Sequence, residues 1–180
     1  MLRKIIMIIW ITGISGSGKT TIGKAYFNIL KKKYKSSIFV DGDSVRKVFQ
    51  NDLKFSLKDR NLNAERLTRL VKFLSEQKIN VVVSANLTSI KYRNWCKKNL
   101  QNYVEIFISA ELKNLIKRDY KSLYKKSLQG KIKNVVGVDI KLNVPKFSNI
   151  YLTNNSTKKK FLKNLDIIKN YVKSKKIKIF

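Results

Sequence analysis

Ile5-Ile6-Met7-Ile8-Ile9-Trp10-Ile11 followed by Thr12-Gly13-Ile14-Ser15-Gly16-Ser17-Gly18-Lys19-Thr20-Thr21 is the stretch on which the reading of this chain turns. The continuous apolar run is the signature of a strand buried on both faces of a parallel sheet. Gly13 to Thr20 satisfies G-x-x-x-x-G-K-[ST], and helical periodicity follows it directly, in Ile22, Ala25, Tyr26, Ile29 and Leu30. Strand, glycine loop and helix in that order form a phosphate cradle. Gly13, Gly16 and Gly18 let the backbone approach phosphate oxygens, and the amides from Ser15 through Ser17 to Thr21 point their N–H groups inward at a helix start. Lys19 is placed to reach the β- and γ-phosphates of a nucleoside triphosphate, and the Thr20 hydroxyl to ligate Mg²⁺.

Working outward, short apolar runs recur at Ile38-Phe39-Val40, Val81-Val82-Val83 and from Val104 to Ile108, with Glu105 the one interruption. Helical stripes lie between them: Leu67, Leu70, Val71 and Leu74; then Leu112, Leu115 and Ile116; then Phe161, Leu165, Ile168 and Val172. This alternation predicts an α/β fold of three layers, a parallel sheet covered by helices on both faces, in one domain over residues 1–180. Two segments break the pattern. Lys47 to Lys58 reads as irregular, and 119–145 is basic, weakly periodic and holds Gly130, Gly137 and the only proline, as a lid closing over substrates would.

The formal charge of +29 over 180 residues suggests a polyanionic partner. Most of the basic residues are lysines spread along nearly every segment, whereas a nucleic-acid site more often clusters arginine and interleaves aromatics. A solvated basic surface is therefore expected, with no specific nucleic-acid partner. Cys96, the one cysteine, offers neither disulfide nor zinc cluster. The short N-terminal apolar run feeds straight into the glycine motif, which favours a core strand over a leader, and no apolar run nears the ~18 residues of a membrane span. A cytoplasmic protein with no membrane partner is the expectation, and the sequence leaves open whether it forms a homodimer.

Phosphate loops serve hydrolysis as well as transfer. No Asn-Lys-x-Asp guanine-reading motif is present, and the chain is short for a motor ATPase. With a basic lid-like segment, the sequence reads as a small-molecule kinase using ATP and Mg²⁺. A basic ATPase or nucleic-acid-binding module that holds nucleotide without transferring phosphate is the alternative. The chain has no histidine, so a side-chain base for the acceptor hydroxyl is expected among its eleven carboxylates. Asp41 and Asp43 follow the strand Ile38-Phe39-Val40, which brings them to the carboxyl edge of a parallel sheet. Asp41 is the candidate to support Mg²⁺ with Thr20, and Asp43 the candidate to orient or deprotonate the hydroxyl.

At this point the residues resemble a known family, the adenylyl-sulfate kinases, which phosphorylate the ribose 3′-hydroxyl of adenylyl sulfate with MgATP. The resemblance covers residues 5–150. It rests on Ile9 through Thr21, on Asp41-Gly42-Asp43-Ser44-Val45-Arg46, on Asp52-Leu53-Lys54-Phe55-Ser56 with Asp59-Arg60 and Asn63, and on a lid run of Arg118-Asp119, Leu123 to Lys126, Gly130, Ile132-Lys133-Asn134 and Gly137. It implies that Arg46, Phe55, Arg60, Asn63 and Lys133 bind the acceptor nucleotide and that Arg118 covers ATP. The departures lie on the acceptor side. Val135-Val136-Gly137 stands where the family has Phe-Thr-Gly, removing one of two base-stacking aromatics. Asn63-Ala64-Glu65-Arg66 replaces an arginine with an acid, and Ser84-Ala85-Asn86 with Tyr92-Arg93 is a loose match to the family's Ser-Phe-Ile-Ser-Pro-Tyr-Arg. These departures leave two readings: a divergent adenylyl-sulfate kinase, or a chain that resembles relatives phosphorylating the 3′-hydroxyl of another activated nucleotide, such as the cytidine diphosphoramidate kinases of bacterial capsule pathways, whose smaller pyrimidine would tolerate Val135 against a single aromatic.

Overall fold

The computed structural model describes residues 6–118 and 122–175. Ile5 of the first apolar run and Asp119 at the start of the lid lie outside the described residues. Five parallel strands run in the order β2-β3-β1-β4-β5: β1 (Ile8–Thr12), β2 (Ser37–Asp41), β3 (Asn80–Ser84), β4 (Tyr103–Ser109) and β5 (Ile150–Thr153). In the centre, Ile9 is in register with Val82 on one side and Val104 on the other. The strands predicted from apolar runs all form. β5 was not predicted, because only Ile150 and Leu152 turn inward while Tyr151 and Thr153 face out.

Alternation along β1 divides the core in two. Met7, Ile9 and Ile11 face one side, against Ile22, Tyr26 and Leu30 of α1 (Lys19–Lys33), Phe161 of α7 (Lys158–Leu162), and Ile168 and Val172 of α8 (Leu165–Ser174). Ile8 and Trp10 face the other, against Ala64, Leu67 and Val71 of α3 (Leu57–Glu76) and Tyr92 and Cys96 of α4 (Ile90–Asn99). These are the expected three layers. Ile29, read as part of the buried stripe of α1, is 40% exposed, on the flank of the arc that Ile22, Tyr26 and Leu30 bury.

Lys47 to Lys58 is less irregular than expected at both ends. α2 (Gly42–Val48) begins directly after β2, because the Asp41 carboxylate accepts the Asp43 and Ser44 amides at 3.0 and 3.2 Å and so caps it. Ser56 caps α3 through the Asp59 amide. Between them, Arg66 holds Asp52 with paired bonds of 2.9 and 2.7 Å and lies 3.9 Å over the Phe49 ring, fastening the 49–56 loop to α3.

The described part of the lid starts after α5 (Leu112–Arg118) and contains one further helix, α6 (Leu123–Leu128). It has its own apolar cluster, in which Tyr124, Val135 and Val136 pack with Leu115 and Ile14 of the glycine loop. Its far end is tied back to the sheet through a buried acid. Glu105 of β4, fully buried, accepts from Ser148 Oγ at 2.5 Å and Tyr103 Oη at 3.1 Å, and lies 4.0 Å from the buried Arg93 guanidinium. Arg93 Nη1 in turn donates to the Asn143 carbonyl at 3.1 Å.

Candidate functional site

The site forms at the carboxyl edge of the sheet, where the order reverses around β1 and a crevice opens between β1 and β3. Gly18, the residue before α1, has φ 100, a left-handed conformation that favours glycine, and a Cβ there would meet Asn154 Nδ2 at 2.5 Å and Phe161 Cε1 at 2.9 Å. No side chain caps α1, so its first N–H groups face the crevice and are available to an anion. Ser15 and Gly16 are exposed on the loop, and Thr21 is half-buried in the first turn. Ser17 is fully buried; its hydroxyl makes no protein hydrogen bond, while its N–H donates to the Ile14 carbonyl at 3.2 Å.

Lys19 Nζ donates to the Ile14 carbonyl at 2.8 Å, folding across the loop. Burial lowers its pKa to about 8, with the charges of Asp43 and then Asp41 pulling it back up. Thr20 Oγ1 donates to Asp41 Oδ2 at 3.0 Å and lies 3.1 Å from Ser84 Oγ at the end of β3. β3 stands between β1 and β2, so Asp41 reaches over a strand to meet Thr20, and Ser84 fills the gap. These oxygens suit a hard cation held also by phosphates and water. Among the described residues no group of three or more acids, cysteines or histidines could cage a metal by itself.

Asp43 is exposed in the first turn of α2. It lies two residues beyond Asp41, whose carboxylate meets Thr20 of the phosphate loop, and three before Arg46, and its charge opposes the lowering of the Lys19 and Arg46 pKa values by burial. Arg46, 8% exposed, donates through Nη1 to the Leu53 and Lys54 carbonyls at 3.0 and 3.1 Å. Arg60 donates to the Phe55 carbonyl at 2.9 Å and the Asn134 carbonyl at 2.7 Å. Their guanidinium carbons lie 4.9 and 5.5 Å from the ring centre of Phe55, which is 52% exposed. Phe55 is therefore an open face and not a core residue, while Arg46 is inside. Asn63 is buried on α3 with its Oδ1 unpaired by protein.

Two expected features fall elsewhere. Val135, read as a small face opposite Phe55, is buried in the lid cluster. Glu65, read as an acid in the acceptor pocket, accepts from Tyr92 Oη at 2.9 Å and pairs with Arg69 at 3.5 Å, on the α3–α4 seam. Lys133 is exposed on the lid. Arg118 ends α5 and donates to the Asn154 and Ser156 carbonyls at 2.8 and 3.0 Å, beside a groove of about 490 Å³ lined also by Asn114, Lys117, Thr157 and Lys160. Sequence reasoning placed Ser84 and Tyr124 in family-like stretches without giving either a role, and passed over Asn154. Tyr124 donates to the Ser15 carbonyl at 2.7 Å and Asn154 Nδ2 to the Ser17 carbonyl at 2.9 Å, so lid and β5 both brace the glycine loop. Asn154 carries no local signal beyond its residue type.

A parallel sheet with this strand order, a glycine loop on α1 and a basic lid define a small kinase. The adenylylsulphate kinase family model matches residues 6–153, and the chain belongs to that family. It is 38% identical over 161 residues to the cytidine diphosphoramidate kinase of Campylobacter jejuni, covering 89% of this chain and 93% of that one. A probable adenylyl-sulfate kinase of Pseudomonas aeruginosa is 36% identical over 81% of this chain and 68% of its own. The structure of the Mycobacterium tuberculosis APS kinase CysC in complex with AMPPNP and APS superposes with a TM-score of 0.84 and 27% identity, over 93% of this chain and 98% of that one. The protein is accordingly a nucleotide kinase of the adenylyl-sulfate kinase type. That membership sets aside the alternative of a nucleic-acid-binding module without transfer.

Proposed function

We propose that this kinase transfers the γ-phosphoryl group of ATP to the ribose 3′-hydroxyl of an activated nucleotide, and that cytidine diphosphoramidate is a better acceptor than adenylyl sulfate. The observation that carries the reaction is the position of Asp43, exposed in the first turn of α2 two residues beyond Asp41, whose carboxylate meets Thr20 of the phosphate loop, and three before Arg46. Its carboxylate takes the hydroxyl proton as the acceptor oxygen bonds to the γ-phosphorus and the bond to the β-bridging oxygen breaks, releasing ADP. Lys19 and the α1 amides hold the phosphates through this step. Thr20 and Asp41, with Ser84 beside them, would hold Mg²⁺, which supplies charge neutralisation on the phosphates. Arg118 and its groove would receive the base of ATP.

On the acceptor side, Arg46 and Arg60 would grip the diphosphate-like portion and Phe55 would stack the base. A single aromatic face favours the smaller base in relative terms, since each base–aromatic stack contributes on the order of 1–3 kcal/mol. The relative named cytidine diphosphoramidate kinase supports the same direction. The test is kcat/KM for both nucleotides, read as acceptor-dependent ADP release under matched MgATP and salt. Higher kcat/KM with cytidine diphosphoramidate is expected. A clear preference for adenylyl sulfate would overturn the acceptor assignment, and ADP release independent of either would overturn the transfer reading.

A further inference from the structure

The lid carries an acid that the proposed chemistry does not use. Residues 134–140 form a compact turn in which Asn134 takes a left-handed φ of 67 and the Val135 carbonyl accepts from the amides of Val138, Asp139 and Ile140. Asp139, itself exposed, closes the turn: its two carboxylate oxygens accept the backbone N–H groups of Asn134 and Val135. Partial desolvation would raise its carboxyl, but these bonds, one from its own N–H and the nearby Arg60 charge hold it below the usual range. The turn thereby presents the Asn134 carbonyl outward. Arg60 of α3 donates to that carbonyl at 2.7 Å, across 74 residues of sequence.

Arg60 is otherwise held by the Phe55 carbonyl and by the Phe55 ring. A guanidinium presents five N–H donors in a rigid fork, so fixing Nε and one Nη2 donor on two carbonyls sets the plane of the rest. The remaining donors, those of Nη1 among them, then have directions fixed within that plane. Without the carbonyl at Asn134, Arg60 would keep a single backbone bond and could rotate about it.

We infer that Asp139 is a positioning residue of the acceptor site, building the lid turn whose Asn134 carbonyl orients Arg60 toward the anionic part of the acceptor nucleotide. The acceptor site is thus shared between α3 and the lid, and occupation of Arg60 by the acceptor is coupled to the position of the 134–140 turn. This rests on the acceptor role proposed above for Arg60.

Two measurements test it. In steady state, with whichever of adenylyl sulfate or cytidine diphosphoramidate the parent turns over, Asp139→Asn is expected to raise the acceptor KM about tenfold, as loss of one charge-assisted arrangement does, with ATP KM unchanged. Combining it with Arg60→Ala should add nothing to the effect of Arg60→Ala alone. ATP KM rising in step, or effects that multiply in the double variant, would overturn the assignment. In the free protein, amide hydrogen exchange over 132–140 needs no acceptor at all. Arg60→Ala should accelerate it as Asp139→Asn does, while thermal midpoints stay within a few degrees. Exchange unchanged by Arg60→Ala overturns the coupling. A parent inactive with both nucleotides refutes the proposed acceptors while the exchange result still decides whether turn and arginine are linked.

Discussion

Lys19 shows how one residue carries conflicting demands. Its ammonium must reach phosphates from inside a loop, and burial there lowers its pKa to about 8 while Asp43 and Asp41 oppose the fall. Below that value the free protein presents a cation to ATP; above it the charge is lost. We therefore expect kcat/KM for ATP to decline as pH rises through about 8, because that ratio reports groups of the free enzyme. A profile flat from about pH 7 to 9.5 would contradict this. Lys19→Ala is expected to keep the fold and to lower turnover by about 100-fold or more, since a charge on the transferring group loses its partner. The proposed mechanism gives the near neighbours Asp41 and Asp43 separate duties. Asp41 accepts from Thr20 and caps α2, whereas Asp43 is exposed in the first turn of that helix. Asp43→Asn should reduce kcat by about 100-fold or more with ATP KM little changed, and Asp41→Asn should raise the Mg²⁺ concentration needed for half-activity. Mg²⁺ titrations of the two variants distinguish the roles, and indistinguishable curves would remove the distinction.

At the scale of elements, the lid is held at both ends. Tyr124 of α6 bonds the phosphate loop at the Ser15 carbonyl, and the 143–149 segment returns to the sheet through Arg93, Glu105 and Ser148. Glu105 interrupts an otherwise apolar strand, which from sequence alone looks like a flaw in β4. It is instead the acid that neutralises a buried arginine and fixes the entry to β5, its own amide bonding Asn149 Oδ1 at 2.8 Å. Removing one member of such a pair leaves the other charged and buried. Glu105→Ala is expected to destabilise the fold by about 3–5 kcal/mol, measured by urea unfolding, and a loss below about 1 kcal/mol would show that Arg93 finds another partner.

Across the whole molecule, the charge of +29 is distributed over surfaces that the fold leaves in water. Lys31, Lys32 and Lys33 are exposed in the last turn of α1, and Lys97 and Lys98 in that of α4, where cations also complement the helix dipole. Nothing in this placement builds a base-reading surface, and the family is one of nucleotide kinases. Binding to DNA or RNA should therefore be independent of sequence and fall steeply with salt, by about 0.7–0.9 logarithmic units per tenfold rise in salt for each phosphate neutralised. Sequence-selective binding that persists at physiological ionic strength would give the basic surface a function of its own. Among the described residues no helix is long and apolar enough to cross a membrane.

The β1–loop–α1 unit, the alternation of strand and helix, and the candidates Lys19, Thr20, Asp41 and Asp43 were legible in the sequence because each has a local cause. A run buried on both faces, a glycine motif and a carboxylate at a strand end are all visible within a few residues. β5 left only alternate apolar positions in a basic stretch, and Ile29 fell on the flank of the helical face that Ile22, Tyr26 and Leu30 bury. The acceptor side was legible as a set of residue types and not as an arrangement. That Phe55 is open while Arg46 is buried, that Val135 turns into the lid cluster, and that Glu65 is engaged by Tyr92 depend on contacts between distant segments. So do the meeting of Thr20 with Ser84 across 64 residues and of Arg60 with Asn134 across 74. Such pairings are set by how layers and lid close on one another, so only the tertiary structure could decide which polar groups were left free to meet a substrate and which were already satisfied.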